Sequence, residues 1–338
     1  MNLLVTGGCG FIGSHFVRYW LGRYPDDTVV NLDALTYSGN LANLEDVAAL
    51  PRYRFVRGAI GDRPLVERLC EESRIEAIVN FAAHTHVDRS ILDSSPFIET
   101  NVAGTAALLE VVRARSIPRF VQISTDEVYG ALRPDDASTT EQSPLAPNSP
   151  YAASKAAADL MVRAYGRTYG VPAVITRCTN NYGPCQFPEK LIPLMIINAL
   201  GNKPLPVYGD GLQVRDWIHV LDHCEAIDLV LRRGRVGEIH NIGSANEHTN
   251  LEIVERILDH LGKPRSLIEH VKDRPGHDRR YALDSTKVRT ELGWSPRRDF
   301  ASGLIETIDW YAANRKWWDA VMTGEYREYY ETWYGKRR

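Results

Sequence analysis

Thr6-Gly7-Gly8-Cys9-Gly10-Phe11-Ile12-Gly13-Ser14 follows the apolar run Leu3-Leu4-Val5 and satisfies both G-x-x-G-x-x-G and G-x-G-x-x-G spacing. Glycines permit a tight turn, let backbone N–H groups approach a pyrophosphate, and allow a helix to pack closely on a strand. The N-terminus of the following helix adds favourable partial charge. Such a turn can also do no more than pack a helix on a sheet, so its context decides. Asp33 ends the second apolar run, Val29-Val30-Asn31-Leu32, twenty residues past Gly13. A carboxylate there accepts hydrogen bonds from adenosine ribose hydroxyls and repels a 2′-phosphate. Gly7, Gly10, Gly13 and Asp33 therefore predict a dinucleotide site that favours NAD over NADP.

Outward from this motif, short apolar runs alternate with amphipathic stretches. Arg54-Phe55-Val56, Ala77-Ile78-Val79-Asn80 and Phe120-Val121-Gln122-Ile123 continue the strands, with helical patterns at 11–24, 63–73 and 99–115 between them. Near-continuous apolar strands are expected to be buried on both faces. The alternation predicts an α/β, Rossmann-type, doubly wound parallel sheet. Helix 151–169 leading to Ala173-Val174-Ile175-Thr176 extends it. Past residue 178, Pro, Gly and Asn become frequent, which predicts a smaller, irregular C-terminal lobe. The expected division is a dinucleotide-binding domain over 1–178 and a substrate lobe over 179–338, with 216–242 returning to the first. Helical patterns recur at 220–232, 250–261 and 301–314.

A chain of 338 residues exceeds the size at which a single core stops growing, which fits this plan. Charged residues make up 25%, hydrophobic residues 44%, and the net charge is −3 without long runs of one sign, so no nucleic-acid or membrane surface is expected. Arg232, Arg233 and Arg235 read as a solvated helix end. Five scattered cysteines without a C-x-x-C pair predict neither disulfides nor zinc and suit a reducing cytoplasm. The N-terminus runs straight into the glycine motif, leaving no room for a signal peptide. The longest apolar segment, the broken Ile192 to Ile197, is too short to span a bilayer. His84, His86 and Asp88 lack an obvious further ligand, so no metal is expected.

The chemistry is read from two further segments. Tyr151-Ala152-Ala153-Ser154-Lys155 opens a helix after a proline turn, and its i, i+4 spacing puts tyrosine and lysine on one face. An ammonium nearby would lower the tyrosine pKa toward the range useful for a base. Ser124-Thr125-Asp126-Glu127 stands directly after a strand, at the sheet edge where ligands bind. Oxidising a hydroxyl needs Tyr151, Lys155 and a hydroxyl such as Thr125, but not two carboxyls. Eliminating water from a β-hydroxy ketone does need an acid and a base, and two carboxyls in different environments can divide those roles.

These segments, together with Asn31 to Tyr37, His86 to Ser90, Asn180 to Pro184, Phe187 to Leu191, Arg215 to Trp217 and Arg274 to Tyr281, span nearly the whole chain. In them the sequence resembles extended short-chain dehydrogenases that modify sugar nucleotides, most closely the dTDP-glucose 4,6-dehydratases. The Thr125-Asp126-Glu127 triplet discriminates, since related 4-epimerases and glucuronate decarboxylases lack the acid pair. A non-catalytic NAD-binding regulator would not need Thr125, Tyr151 and Lys155. The resemblance implies that Tyr151 takes the 4-hydroxyl proton of glucose, Thr125 holds that hydroxyl and Lys155 tunes the tyrosine. Glu127 would take the carbon 5 proton and Asp126 would protonate the departing 6-hydroxyl. It implies further NAD contacts from Phe11, Ile12, Tyr37, Ile60, Ala82, Thr100, Cys178 and Asn181. Around dTDP-glucose it places His86, Asn180, Glu189, Lys190, Leu191, Pro206, Tyr208, Arg215, Asn250, Arg274 and His277. It also implies a homodimer joined by a four-helix interface through helices near 99–115 and 151–169. The preference for dTDP over UDP rests on the resemblance, because a thymine methyl is worth only about 1–3 kcal/mol.

Two departures from the family pattern stand out. Ala59 occupies a position where an aspartate is usual beside the adenine amino group, which removes a polar contact unless Asp62 supplies it. Ala82-Ala83-His84-Thr85-His86 replaces the usual Ala-Ala-Glu-Ser-His beside the substrate.

Overall fold

The computed structural model describes residues 1–322 and 324–334. Its first half alternates strand and helix: β1 (Asn2–Thr6), α1 (Phe11–Arg23), β2 (Thr28–Asp33), β3 (Tyr53–Arg57), α2 (Arg63–Glu72), β4 (Ala77–Asn80) and α3 (Val87–Leu92). A single turn α4 (Ser95–Phe97), α5 (Thr105–Ala114), β5 (Arg119–Thr125), α6 (Pro150–Tyr169) and β6 (Ala173–Cys178) follow. β1 lies at the middle of a seven-stranded sheet ordered β10-β6-β5-β4-β1-β2-β3, where β10 is Ile239–Ile242. Every pairing in it is parallel. The chain winds one way from β1 to β3 and the other from β4 to β6, so a crevice opens between β1 and β4 at their C-terminal ends.

Burial follows strand position. β1, β4, β5 and β6 are buried almost throughout, whereas β3 is half-exposed along its length. The expectation of burial on both faces therefore fails for β3. It is an edge strand with one neighbour, and the exposed Arg54 and Arg57 blunt that edge. α1 turns Phe16, Val17, Trp20 and Leu21 into the core, each contributing roughly 1.5–3 kcal/mol of burial.

The stretch expected as helix over 99–115 is helical up to Ala114 but not α-helical throughout. Ile98–Gly104 forms π-helical turns before α5 begins. At Gly104 a Cβ would stand 2.7 Å from the Ile60 side chain, so the helix packs closely on it there. The widened turn presents Asn101, whose side chain pairs with both the N–H and the carbonyl of His84 and donates to Ser154 Oγ at 2.9 Å.

The second half contains β7 (Asn180–Tyr182), α7 (Leu191–Leu200), β8 (Leu205–Tyr208), β9 (Val214–His219) and α8 (Val220–Arg233), then β10. β11 (Glu247–Thr249), α9 (Asn250–His260), β12 (Ile268–Val271), α10 (Thr286–Leu292), α11 (Phe300–Ala313), α12 (Arg315–Val321) and α13 (Gly324–Tyr334) complete it. β11, β9 and β7 make one small sheet, and β12 pairs with β8 in another. α7, α9 and α11 share a second apolar core, which absorbs the Ile192 to Ile197 run. The first core takes in α8, together with Val288 and Leu292 of α10 and the following Trp294. A seven-residue helix is too short for its periodicity to announce that return. Arg232 and Arg233 close α8 in solvent. All five cysteines are unpaired and buried. Among the described residues no helix is long and apolar enough to cross a membrane.

Candidate active site

The crevice between β1 and β4 deepens into a cavity that runs from the glycine turn to the acid pair after β5. At one end Gly7 adopts φ +68°, and a Cβ there would lie 2.7 Å from Ala82 N; one on Gly13 would lie 2.3 Å from Gly7 O. The absence of side chains thus shapes a cradle. α1 opens at Gly10 with no side-chain cap and no acidic residue in its first turn, so its free N–H groups face the cavity and can meet an anion. Asp33 accepts from Cys9 N at 2.9 Å and Leu35 N at 2.8 Å, which fixes its carboxylate at the cavity wall, and burial raises its pKa. Phe11, Ile12, Ile60, Ala82, Thr100, Cys178 and Asn181 line the same cavity. These residues fit a dinucleotide.

Tyr37 stands elsewhere: its hydroxyl donates to the Thr85 carbonyl, and its ring lies 3.9 Å from the Arg89 guanidinium. Ala59 lines the cavity but Asp62 does not, its carboxylate instead capping α2 by accepting from Leu65 N. His84 also lines the wall, its ring packed near those of Phe97 and Tyr37 and its pKa lowered by burial.

At the other end, Thr125 caps the turn after β5. Its Oγ1 accepts from Glu127 N at 3.3 Å and donates to Asp126 Oδ1 at 3.1 Å. The two carboxyls differ in surroundings. Burial, then the neighbouring Glu127 charge, pushes Asp126 up to about 8 against the pull of Arg215, and its Oδ2 has no partner. Burial also raises Glu127, but Arg274, Lys190 and Arg215 oppose it, so this carboxylate faces three cations. Tyr151, Lys155, Asn180, Glu189 and Lys190 complete this part of the wall.

Tyr151 is shifted above the usual phenol range, by burial first and then by Glu127, and the opposing influence is a hydrogen bond with Thr85. Lys155 Nζ donates to Ile123 O at 2.6 Å, and burial lowers its own pKa. That bond uses one of the three donors of its ammonium.

Off the wall of this cavity stand His86, at the start of α3, and, in the second lobe beyond Glu127, Leu191, Pro206, Tyr208, Arg215, Asn250, Arg274 and His277. Among the described residues Arg215 donates to the carbonyls of Val214 and Asp278, and it stacks on Tyr281 at 4.3 Å. Arg274 meets Asp88 at 3.4 Å, leaving its buried Nε unpaired. Both guanidiniums retain capacity for an anion. His277 bonds Asp273 at 2.6 Å and is pushed down to about 4 by burial. Pro206 lies in β8 beside Glu269, Asn250 opens α9, and Leu191 opens α7 against the second core. Glu189 is less free than expected, since it accepts from Arg89 Nε at 2.7 Å. Among the described residues no group of three His, Cys, Asp or Glu could hold a metal ion.

Sequence reasoning assigns no role to Thr85, Arg89 or Tyr329. Thr85 Oγ1 accepts from Lys190 at 3.4 Å, and Arg89 lies between the rings of Tyr37 and Tyr329. Only the motif around His86 hinted at Arg89; nothing local marks Tyr329.

A glycine cradle at the switch point, a Tyr-Lys helix and a carboxyl pair on one cavity define a dinucleotide-binding enzyme of the short-chain dehydrogenase class. The chain belongs to the 4,6-dehydratase family, as residues 4–307 match the family model described as GDP-mannose 4,6 dehydratase. A dTDP-glucose 4,6-dehydratase of Streptomyces niveus is 54% identical over 96% of both chains. The crystal structure of DesIV, a dTDP-glucose 4,6-dehydratase from Streptomyces venezuelae with NAD and TYD bound, shares 56% identity at a TM-score of 0.92, covering 95% of this chain and 100% of that one. That of a Bacillus anthracis dTDP-glucose 4,6-dehydratase in complex with NAD shares 53% at 0.90, covering 95% and 99%.

Proposed function

We propose that the chain is an NAD-dependent dTDP-glucose 4,6-dehydratase, converting dTDP-glucose to dTDP-4-keto-6-deoxyglucose and water. The observation that carries this reading is the pair Asp126 and Glu127, held in different environments on the cavity wall that also bears Tyr151. Gly7, Gly10, Gly13 and Asp33 would hold NAD, which when bound supplies the hydride acceptor for carbon 4 and the donor for carbon 6. Thr125 and Tyr151 orient the 4-hydroxyl, and Tyr151 takes its proton as the phenolate, a form that burial and Glu127 disfavour and that the positive charges of Lys155 and of bound NAD would favour. A ketone at carbon 4 acidifies the hydrogen on carbon 5, and Glu127, its charge supported by three cations, removes it and, after exchange with solvent, returns a proton to carbon 5 as carbon 6 is reduced. Asp126, neutral below about pH 8, donates its proton to the 6-hydroxyl, which departs as water. Arg215, Arg274 and Lys190 supply positive charge for the diphosphate.

The reading extends to a cytoplasmic homodimer. Leu92, Ile98 and Leu160 stand exposed near the two helices expected at the interface, and unpaired cysteines suit a reducing compartment.

Incubating the purified protein with dTDP-glucose in D2O and following product mass tests the reaction. Loss of one water with deuterium at carbon 5 is expected. An isomer of unchanged mass would make the enzyme an epimerase, and turnover of UDP-glucose alone would overturn the choice of base.

A further inference from the structure

The terminal helix α13 is aromatic, and it spends its polar tips on the substrate side of the molecule. Tyr326, Tyr329, Trp333 and Tyr334 are all buried. A helix that only sealed the second core would be served by aliphatic side chains, which carry no polar atom to satisfy. Here the Tyr329 hydroxyl bonds His86 Nε2 at 3.0 Å, and Trp333 Nε1 donates to the Tyr208 hydroxyl at 2.5 Å. The ring of Tyr334 stacks on Tyr208 at 5.8 Å, and Tyr326 donates to the Pro188 carbonyl beside Glu189.

Each contact continues toward the site. Tyr208 donates to Asp88 Oδ2 at 2.7 Å, and Asp88 Oδ1 accepts from Arg274. The Tyr329 ring covers Arg89 at 4.3 Å, opposite Tyr37, while Arg89 holds Glu189. His86 carries φ +87°, a conformation that a residue with a side chain keeps only when its surroundings enforce it. Tyr329 grips its ring.

We propose that α13 is a positioning element of the substrate site, fixing His86, the Arg89–Glu189 pair and the Tyr208–Asp88–Arg274 chain from behind. Docking of the helix and occupation of the sugar-nucleotide site then stabilise each other, because coupling between two equilibria is reciprocal. The inference rests on the function proposed above and adds a segment remote in sequence to its binding apparatus.

Hydrogen exchange across 324–334 in the NAD-loaded enzyme, with and without saturating dTDP, tests the coupling. Exchange should slow by about tenfold, within the usual range for coupled sites. Tyr329→Phe keeps the ring over Arg89 and loses only the bond to His86; Trp333→Phe loses the bond to Tyr208. Each should raise KM for dTDP-glucose by about five- to tenfold, the worth of one buried hydrogen bond, with kcat within about twofold and bound NAD unchanged. If dTDP binds while exchange across the helix stays as it was, the inference is wrong. It is equally wrong if the variants lose kcat, NAD and thermal stability together, the pattern of a purely structural helix. Should dTDP not bind and dTDP-glucose not be consumed, the proposed function itself fails and takes this inference with it.

Discussion

At the dinucleotide end of the cavity, Gly7, Gly10 and Gly13 lie on one turn, and the protein offers chiefly backbone N–H groups and one anchored carboxylate. At the sugar end, Asp126, Lys155 and Arg215, all buried, and the half-buried Lys190 come from separate elements, and the behaviour of each charged or chargeable group depends on its neighbours. A backbone site is written in a local motif, because spacing along the chain equals geometry in space. A side-chain site is written in the packing, because burial and neighbouring charge decide what each group does.

Substitutions can break this contrast, and the largest effect is expected at the sugar end. Glu127→Gln keeps the shape and removes the base, so kcat should fall by about 10²- to 10⁴-fold while bound NAD, measured by release on denaturation, stays constant. Parallel loss of NAD would show that the two ends are not separable.

At the glycine end, Gly13→Ala puts a methyl 2.3 Å from the Gly7 carbonyl. Overpacking there costs about 1–3 kcal/mol, or roughly ten- to a hundredfold in NAD affinity, measurable by calorimetry on the apo protein. Unchanged affinity would mean that the turn does not cradle the cofactor.

The pH profile sharpens the comparison further. Asp126 titrates near 8 in the fold, so the protonation of the leaving hydroxyl should weaken as pH rises through that value, and kcat should bend downward there. The same raised pKa gives a stability contribution fully present below the ordinary carboxylate value of about 3.9 and lost as pH rises through about 8. Asp126→Asn should therefore flatten the dependence of the unfolding midpoint over that window, and a wild-type slope retained in the variant would assign it to another group.

The smallest effect belongs to Ala59→Asp, which adds an acceptor on an exposed part of the cavity wall. One added hydrogen bond of about 0.5–1 kcal/mol should tighten NAD severalfold in a titration. No change would show that this edge of the site does not reach the adenine.

The amino-acid sequence alone determined the parallel sheet, the glycine turn, Asp33 and the order in which Thr125, Asp126, Glu127, Tyr151 and Lys155 reach the cavity, since apolar periodicity and motif spacing are local properties of the chain. Only the tertiary structure decided that β3 is an edge, that the helix before α5 widens to present Asn101, and that Lys155 donates to the Ile123 carbonyl. Tertiary packing alone also brought Tyr329 to His86 across 243 residues. No periodicity encodes a contact between distant segments, and the pKa of a buried acid is a property of everything packed around it.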